Sequence, residues 1–453
     1  MRKHRRFGRL GVLAVIVTLV TLSATSCAPL VGWTRPAAIV QWTPLSKTQL
    51  NAWSKDAGRY FYSPGAGAQL TPGRHVLTVT MVPTDMVRWQ TSTVHQVVQW
   101  VTAPPRASGN LTTSQHLEIP TAAPQQVAVA DLDGDGRPDL VTATYYGSNV
   151  SVHLGTGPGT FGPRVDYLAG PQPQAVVVVD VDGDGALDVV TANGADSTVA
   201  VLRGNGDGTL RARATYPTGA QVDAITAADV NGDGPPDLIT ATWGGAAVSV
   251  LLGTGTGSFL PKHDYATGPN PRQVIAADVN RDGNPDLATA NWGDGTVSVL
   301  LGTGDGTFGS RSDHQGAGHA SGLDLGDVNR DGVLDLVISN EGPGTVSVLL
   351  GLAAGGFGPR TDYASGSTAR AVALADLDGD QKLDLVSANW GDNTVSVRLG
   401  NGSGGFGAKR DVGTLRSPTW ITVADLDGDH RPDVVVPDAW SDAVTLLVGT
   451  APG

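Results

Sequence analysis

An aspartate-rich decapeptide recurs seven times at a constant spacing of 49 residues, and this repeat restricts the possible folds more than any other feature. The first copy, DLDGDGRPDL, begins at Asp131, and the last, DLDGDHRPDV, begins at Asp425, with no insertion or deletion between copies. Seven units of 49 residues span 343 residues, which is the length of the segment 111–453. Self-similarity at a fixed period of this size indicates an array of identical supersecondary units.

Each unit has the pattern of four short strands. In the first unit, Val127–Ala130 and Leu140–Tyr145 are apolar, Val150–Leu154 alternates apolar with polar residues, and Phe161–Leu168 follows a glycine-rich turn. The chain has 61 Gly but only 2 Glu and 6 Lys, and Glu and Lys normally fill exposed helix faces. The chain is therefore predicted to be all-β. Because one four-stranded meander cannot bury its own faces, we expect the units to pack radially as propeller blades.

The ends of the repeat predict a closed ring. The seventh unit ends just after its third strand, Val444–Val448, so it lacks an outer strand. The segment Gln115–Pro120, ahead of the first acidic loop, occupies the outer-strand position of the pattern. We expect this N-terminal strand to complete the last blade and cover its edge. The prediction for residues 111–453 is a seven-bladed β-propeller that its own N-terminal strand closes.

Two further regions precede the propeller. Residues 37–101 contain strand candidates at Arg59–Tyr62 and His75–Val82, and the text from Gln49 to Asp85 resembles a bacterial Ig-like module. Such modules recur as spacers in surface proteins, so the resemblance implies a small Ig-like β-sandwich at 37–101. Residues 102–110 contain a Pro-Pro pair and are predicted to be a linker.

The amino terminus predicts export. A basic cluster at 2–6 precedes an apolar run of 13 residues, Leu10–Leu22, which is long enough for a signal peptide and too short to cross a bilayer. The small residues before Cys27 resemble a bacterial lipoprotein signal. That resemblance implies a signal peptide at 1–27, acylation of Cys27, a tether at 28–36, and membrane contact only through the lipid. Ordinary cleavage nearby, with Cys27 lost or inert, is the alternative; the protein is then secreted rather than anchored at the cell surface.

The acidic loops predict up to seven Ca²⁺ sites. Carboxylates at loop positions 1, 3, 5 and 9, with the carbonyl of position 7, form an oxygen-only ligand set, and Ca²⁺ tolerates the irregular geometry of such a set. In the third to fifth loops Asn replaces Asp at position 3, which keeps an oxygen and removes a charge. The predicted ligands are Asp131, Asp133, Asp135, Arg137, Asp139; Asp180, Asp182, Asp184, Ala186, Asp188; Asp229, Asn231, Asp233, Pro235, Asp237; Asp278, Asn280, Asp282, Asn284, Asp286; Asp327, Asn329, Asp331, Val333, Asp335; Asp376, Asp378, Asp380, Lys382, Asp384; and Asp425, Asp427, Asp429, Arg431, Asp433.

Charge supports a metal in these loops. They hold 25 of the 43 acidic residues, so seven divalent ions would change the formal net charge from −13 to +1. Hydrogen bonds from Asp side chains to the backbone could also hold one such turn, but seven copies favour the metal. Position 6 is Gly in five loops, as a left-handed turn requires. Gln381 and His430 stand there in the last two loops, where we expect strain and weaker binding.

The units resemble the FG-GAP or VCBS repeats of integrin alpha-chain propellers and bacterial surface proteins. The Phe-Gly pairs that give the family its name are Phe161-Gly162, Phe308-Gly309, Phe357-Gly358 and Phe406-Gly407. The resemblance implies Ca²⁺ in the loop between the first two strands of each blade. It also implies that partners bind on the opposite face.

Two columns of residues are predicted to lie on that opposite face. The turn between the second and third strands contains aromatic and acidic residues that suit sugar stacking or a protein contact. Packing between adjacent blades is the alternative role for its Trp residues. A second column, six residues before each acidic loop, is predicted near the central channel. The candidates in the first column are Tyr145, Trp243, Trp292, Glu341 and Trp390, and those beside it in the same turns are Asp294, Asp392 and Trp440, the last displaced by one residue. The second column contains Gln125, Gln174, Asp223, Arg272, Ser321, Arg370 and Thr419.

These features predict a noncatalytic, calcium-stabilised surface module. The sequence has no HExxH pair or nucleophile elbow, and near-identical blades lack the asymmetry that catalysis requires. The acidic balance disfavours a nucleic-acid partner. We expect a monomer that binds a glycan or a surface protein in adhesion. The alternatives are a lyase-like propeller enzyme acting on polysaccharide and a purely structural display scaffold.

Overall fold

The computed structural model describes residues 31–32, 39–40, 50, 52–54, 58–63, 73–83, 93–102, 108–120, 122–353 and 355–450. The predicted signal peptide with Cys27 lies outside the described residues. Every regular element in the described ranges is a strand except two single turns of 3-10 helix, at Trp243–Gly245 and Ala439–Ser441. In the described part of the chain, neither helical turn approaches the length or apolarity needed to cross a membrane.

A small sheet precedes the propeller. Its four strands lie in the order β2, β6, β5, β4, with β2 parallel to β6 and the other pairs antiparallel, and β1 pairs with β3 in a separate ribbon. Leu77, Val79 and Met81 of β5 are fully buried. The strands β2 to β6 fall in the predicted 37–101 region, apart from Thr102 at the end of β6, and the Ig-like identity of this region remains a prediction. The strand β1 lies in the segment 28–36 that was predicted to be a tether. Their bounds are β1 Val31–Gly32, β2 Ile39–Val40, β3 Trp53–Ser54, β4 Gly58–Ser63, β5 Gly73–Pro83 and β6 Thr93–Thr102.

Seven antiparallel sheets of four strands form the blades, which confirms the predicted propeller. Blade 1 consists of β8 Pro124–Ala130, β9 Asp139–Thr144, β10 Asn149–His153 and β13 Val165–Leu168, with the ribbon β11 Gly155–Gly157 and β12 Thr160–Phe161 before its outer strand. Blade 2 consists of β14 Pro173–Val179, β15 Asp188–Asn193, β16 Thr198–Leu202 and β17 Ala214–Pro217; blade 3 of β18 Val222–Ala228, β19 Asp237–Thr242, β20 Ala247–Leu251 and β21 His263–Ala266.

The remaining blades repeat this plan. Blade 4 consists of β22 Pro271–Ala277, β23 Asp286–Asn291, β24 Thr296–Leu300 and β25 Ser312–Gln315; blade 5 of β26 Ala320–Gly326, β27 Asp335–Asn340, β28 Thr345–Gly351 and β29 Phe357–Ala364. Blade 6 consists of β30 Ala369–Ala375, β31 Asp384–Asn389, β32 Thr394–Arg398 and β33 Arg410–Gly413; blade 7 of β34 Thr422–Ala424, β35 Asp433–Asp438, β36 Ala443–Gly449 and the N-terminal strand β7 Leu111–Glu118.

The strand β7 closes the ring as predicted, although it begins four residues earlier than the predicted segment. It pairs antiparallel with β36, from Leu111 opposite Gly449 to Glu118 opposite Ala443. The inner strands of blades 7 and 1 are also joined, because the Thr422 hydroxyl donates to the carbonyl of Val127 at 2.5 Å. The N–H of Gly159 in blade 1 also donates to the carbonyl of Leu426 in blade 7 at 2.9 Å, so both main-chain and side-chain hydrogen bonds connect the first blade to the last.

The hydrophobic core lies between the blades, in clusters that link each blade to the next around the ring. All six residues of every second strand are buried, because this strand has a neighbouring blade on each face. The outer strands are mostly exposed. This arrangement fixes the turns at the two ends of each blade, and these turns carry the candidate sites.

Candidate functional site

The acidic loop joins the first and second strands of each blade, and the aspartate at position 9 is the first residue of the second strand. Asp139 shows the pattern: it is fully buried, and its two oxygens accept the N–H groups of Leu132 and Gly155, each at 2.7 Å. The same pair of bonds occurs in all seven blades. Position 9 therefore ties the acidic loop to the turn before the outer strand.

The all-aspartate loops bring positions 1, 3 and 9 together. In each of these loops the three side chains offer carboxylate oxygens that lie within 4.8 Å of one another. Position 1 also accepts the N–H of position 6, as Asp131 accepts that of Gly136 at 3.0 Å. The four groups are Asp131, Asp133, Asp139; Asp180, Asp182, Asp188; Asp376, Asp378, Asp384; and Asp425, Asp427, Asp433.

The chemistry of this donor set fits a hard cation. Two of the position-1 oxygens, Oδ1 of Asp131 and Oδ1 of Asp229, are buried and have no hydrogen-bond partner among the described residues. Burial, together with the neighbouring loop carboxylates, raises the pKa of Asp188 and Asp237 to about 7 and that of Asp384 to about 8. Buried carboxylates with raised pKa values and unused oxygens are the environment that a bound divalent ion would stabilise.

Position 5 has a different environment from positions 1, 3 and 9. Asp135 accepts the N–H of Arg137 at 2.9 Å, and its other oxygen pairs with the Arg137 guanidinium. Lys382 and Arg431 pair with position 5 in the same way in blades 6 and 7. Metal ligation by position 5 remains a prediction, and an ion there would compete with these basic side chains.

In the loops with Asn at position 3, the Asn side chain, and not a basic residue, pairs with the carboxylate at position 5. The side-chain amide of Asn231 donates to Oδ2 of Asp233 at 3.1 Å, and Asn280 and Asn329 make the same bond at 3.0 Å. The position-7 residues of these loops are Pro235, Asn284 and Val333, none of which is charged. These three loops therefore lack both the negative charge of an Asp at position 3 and the positive charge of a basic residue at position 7.

Each loop contains two left-handed residues, at positions 4 and 6. Gln381 and His430 have φ values of 67° and 64°, so the predicted backbone strain at position 6 is confirmed. Position 4, which sequence reasoning did not single out, is left-handed as well, and Arg281 and Arg330 occupy it with φ values of 63° and 65°. Strained loops therefore occur in blades 4 to 7 and not in blades 6 and 7 alone.

The opposite face has an asymmetric polar cluster across blades 3 to 5. Trp292 donates its indole N–H to Glu341 at 2.8 Å and stacks on His319 at a centroid distance of 4.1 Å. Arg272 pairs with Glu341 at 2.6 Å and lies 5.8 Å from the Trp243 ring. Burial raises the pKa of Glu341, but Arg272 and the indole outweigh it and hold the pKa below its usual value. These contacts support the packing role for Trp243 and Trp292.

The second column of residues lines the mouth of the central channel, as the sequence predicted. A cavity of about 40 Å³ is bordered by all seven of its members. Asp223 lies 3.6 Å from Arg272, which links this column to the cluster around Glu341. Burial, together with the nearby Arg272, lowers the pKa of Arg370 to about 9.

A second aromatic group lies at the seam between blades 7 and 1. Trp440 is 61% exposed and Tyr146 is 75% exposed, and both border a surface depression of about 480 Å³. Arg416 lies 5.6 Å from the Trp440 ring, and Asp442 completes the lining. Sequence reasoning found Trp440, one residue after the repeated column, but missed Tyr146 at the same repeat position of blade 1; it also missed Arg416 and Asp442, which lie farther from the column.

The other predicted ligand residues have supporting roles. Trp390 packs edge-on against Trp440 at 5.1 Å, and Tyr145 packs edge-on against Tyr146 at 5.0 Å. Asp294 caps its own turn by accepting the N–H of Thr296 at 3.1 Å. Asp392 accepts the N–H of Ser367 at 2.7 Å. The eight candidates thus divide between the cluster around Glu341, the seam and turn caps.

Comparison with known families identifies the repeat. FG-GAP-like repeat matches cover residues 131–191, 180–240, 229–289, 282–338, 327–387 and 376–436. The chain belongs to the FG-GAP-like repeat family. These matches follow the 49-residue period and begin at or near the acidic loops. No curated protein showed significant similarity to this FG-GAP-like chain.

Solved structures share the propeller fold at low identity. A catalytically inactive virginiamycin B lyase from Staphylococcus aureus, with quinupristin, has a TM-score of 0.51 and 14% identity, covering 75% of this chain and 99% of its own. A protein from Lactobacillus plantarum has a TM-score of 0.52 and 16% identity, with coverage of 80% and 98%. A putative 6-phosphogluconolactonase from Bacteroides fragilis has a TM-score of 0.53 and 16% identity, with coverage of 69% and 93%. At these identities the likeness shows the fold alone.

Proposed function

We propose that this FG-GAP-like propeller is an exported, noncatalytic binding module that calcium stabilises and that a lipid on Cys27 holds at the cell surface. In this proposal the acidic loops bind Ca²⁺ on one face and leave the opposite face for a carbohydrate. The exposed aromatic pair Trp440 and Tyr146 beside its depression is the observation that supports the proposal most directly.

The seam suits a sugar because it combines flat apolar rings with polar groups. Exposed large aromatic rings are costly to leave in water and suit contact with an apolar sugar face. The edge-on contact of Trp390 holds the Trp440 ring in place, which reduces the entropy lost when a ligand binds. The cluster around Glu341 has its polar groups engaged with one another, so the seam is the better candidate.

Arg416 favours a sugar that carries a carboxylate. Its side chain is exposed, and it makes no ion pair within the part of the chain that the structure describes. A guanidinium stacked on Trp440 presents donors at the rim of the depression, where a uronic acid could pair with it. Neutral sugars would gain only the stacking contact.

An oligosaccharide binding assay tests the proposal. We expect oligouronates to bind in millimolar Ca²⁺ and Trp440→Ala to weaken that binding at least tenfold. Arg416→Met should weaken oligouronate binding and leave neutral oligosaccharides unaffected. Leu168→Ala, at another exposed apolar residue of blade 1, is the control and should change neither. Binding that survives Trp440→Ala contradicts the seam as the site, and shortening of the polymer would indicate an enzyme.

A further inference from the structure

One face of the N-terminal sheet contacts the metal loops of blades 2 and 3. Arg59 of β4 donates to the carbonyl of Gly255, in the turn before the outer strand of blade 3. Phe61, two residues later on the same face of the strand, is only 5% exposed. Its cross-strand partner on β5 is Thr80. These three side chains project away from the sheet's own buried residues Leu77, Val79 and Met81.

The loop glycines show how close this contact is. A Cβ atom at Gly183, position 4 of the blade 2 loop, would lie 2.9 Å from both the Phe61 ring and Cβ of Arg59. A Cβ atom at Gly234, position 6 of the blade 3 loop, would lie 2.7 Å from Thr80. The sheet therefore occupies the space directly over two acidic loops.

Equivalent glycines in other blades face open space. A Cβ atom at Gly428, position 4 in blade 7, or at Gly283, position 6 in blade 4, would meet nothing within 4 Å. Burial at position 3 of blade 2 agrees with this contact: Asp182 is buried, whereas the matching Asp133 and Asp427 are half-buried. Contact with the sheet thus makes blade 2 and blade 3 differ from blades with the same loop sequence pattern.

We propose that the N-terminal sheet is a cap on the calcium loops of blades 2 and 3, so that its docking and ion binding at these loops stabilise each other. The inference depends on the calcium part of the proposed function and is independent of the sugar site. An ion fixes the loop backbone that Phe61 and Thr80 contact, and the docked sheet in turn hinders escape of the ion. Because linkage is reciprocal, each event strengthens the other by the same factor.

Calcium release from the full chain tests the cap. The calcium-loaded protein is mixed with excess fluorescent chelator, and the released ions are counted from the signal. We expect Phe61→Ala to accelerate release of two ion equivalents at least tenfold and to leave the remaining release rates unchanged. An unchanged profile overturns the cap but not calcium binding, whereas no released calcium overturns both.

Two further variants test the cap without changing the N-terminal sheet, in case Phe61→Ala prevents that sheet from folding. Gly183→Arg and Gly428→Arg place at position 4 the residue that Arg281 and Arg330 already place there in blades 4 and 5. Both variants have the same left-handed strain, but only the first displaces the sheet. Hydrogen exchange at Arg59–Tyr62 should rise in Gly183→Arg and in calcium-free wild type, and should not rise in Gly428→Arg. Equal exchange in the two variants overturns the cap.

Discussion

At the scale of single residues, the backbone conformation of the acidic loops was predicted at one of its two left-handed positions and not at the other. Glycine at position 6 predicted a left-handed turn, and Gln381 and His430 adopt that conformation despite their side chains. The second left-handed residue, at position 4, was not predicted. Arg281 and Arg330 concealed it, because an arginine in an acidic loop is readily interpreted as a charge partner and not as a backbone requirement.

Substitutions at Gly283 measure the energetic cost of placing a residue other than glycine at a left-handed loop position. The φ of Gly283 is 90° and a Cβ atom there would meet nothing within 4 Å, so a substitution costs backbone strain without a clash. We expect Gly283→Ala to lower the free energy of unfolding by about 1 kcal/mol, and Gly283→Asn by less, since Asn tolerates the left-handed region. Denaturant unfolding in excess chelator measures both without a contribution from metal. Equal costs for Ala and Asn would contradict this explanation.

The seam shows which site residues sequence reasoning could not find. Trp440 was predicted because it lies one residue after a repeated column that contains aromatic residues. Tyr146 lies at the same repeat position of blade 1 and was overlooked, whereas Arg416 belongs to no such column. Tyr146 and Arg416 are 270 residues apart in the sequence and meet only because blade 7 packs against blade 1. A periodic pattern predicts what the blades share, and this site depends on where they differ.

At the scale of elements, the closing strand was predicted from the position at which the last unit stops. Its pairing with β36 extends back to Leu111, and a register shift lies between Leu446 and Leu447. The 49-residue period predicted that this strand exists and which strand it pairs with. It could not give the four additional residues, because Ser114 lies at the shift and Leu111, Thr112 and Thr113 pair beyond it, where the regular pattern of the other blades no longer applies.

Two truncations test the contribution of β7. A chain that begins at Ser108 keeps this strand, whereas a chain that begins at Pro120 exposes the edge of β36 and uncovers Leu447 and its neighbours in the core between blades 6 and 7. We expect the first to melt cooperatively as a monomer and the second to aggregate or melt at least 10 °C lower. Thermal unfolding with light scattering distinguishes them. Equal melting of both chains would show that the strand is dispensable.

At the scale of the whole molecule, calcium and pH should act on stability together. Without metal, burial raises the pKa of Asp433 to about 7 and that of Asp384 to about 8, above the ordinary value of 3.8. The folded state then binds more protons than the unfolded state between about pH 4 and 8, so its stability falls as the pH rises through this window. We therefore expect Tm in chelator to decrease from pH 5 to pH 8.

Calcium should reverse this decrease, because it binds the ionised carboxylates. With affinities near 10⁻⁴ M, millimolar Ca²⁺ contributes about 1.4 kcal/mol per site, or about 10 kcal/mol for seven sites. Calorimetric melting at pH 5 and pH 8, with Ca²⁺ and with chelator, measures both effects. An unchanged Tm on chelation at pH 8 would show that the loops fold without metal.

The contact between the N-terminal sheet and the acidic loops of blades 2 and 3 could not be predicted from the sequence, for a physical reason. The fold of each part follows from local pattern, but their mutual placement depends on Phe61, Thr80 and small loop residues that no periodicity relates. Gly183 and Gly234 look like any other loop glycines in the sequence. Only the assembled molecule shows that these two have a neighbour.

The pairing of β7 with β36 also sets the order of events during synthesis. Ser108 and Thr450, whose hydroxyls lie 2.7 Å apart, are separated by 342 residues of chain. The strand that completes the last blade therefore leaves the ribosome before the other strands of the propeller and has no partner until β36 has been made. Its eight residues must stay unpaired and resist association with other chains in the meantime. Six of them, Thr112, Thr113, Ser114, Gln115, His116 and Glu118, are polar, which suits a segment that is exposed to water until its partner strand is made.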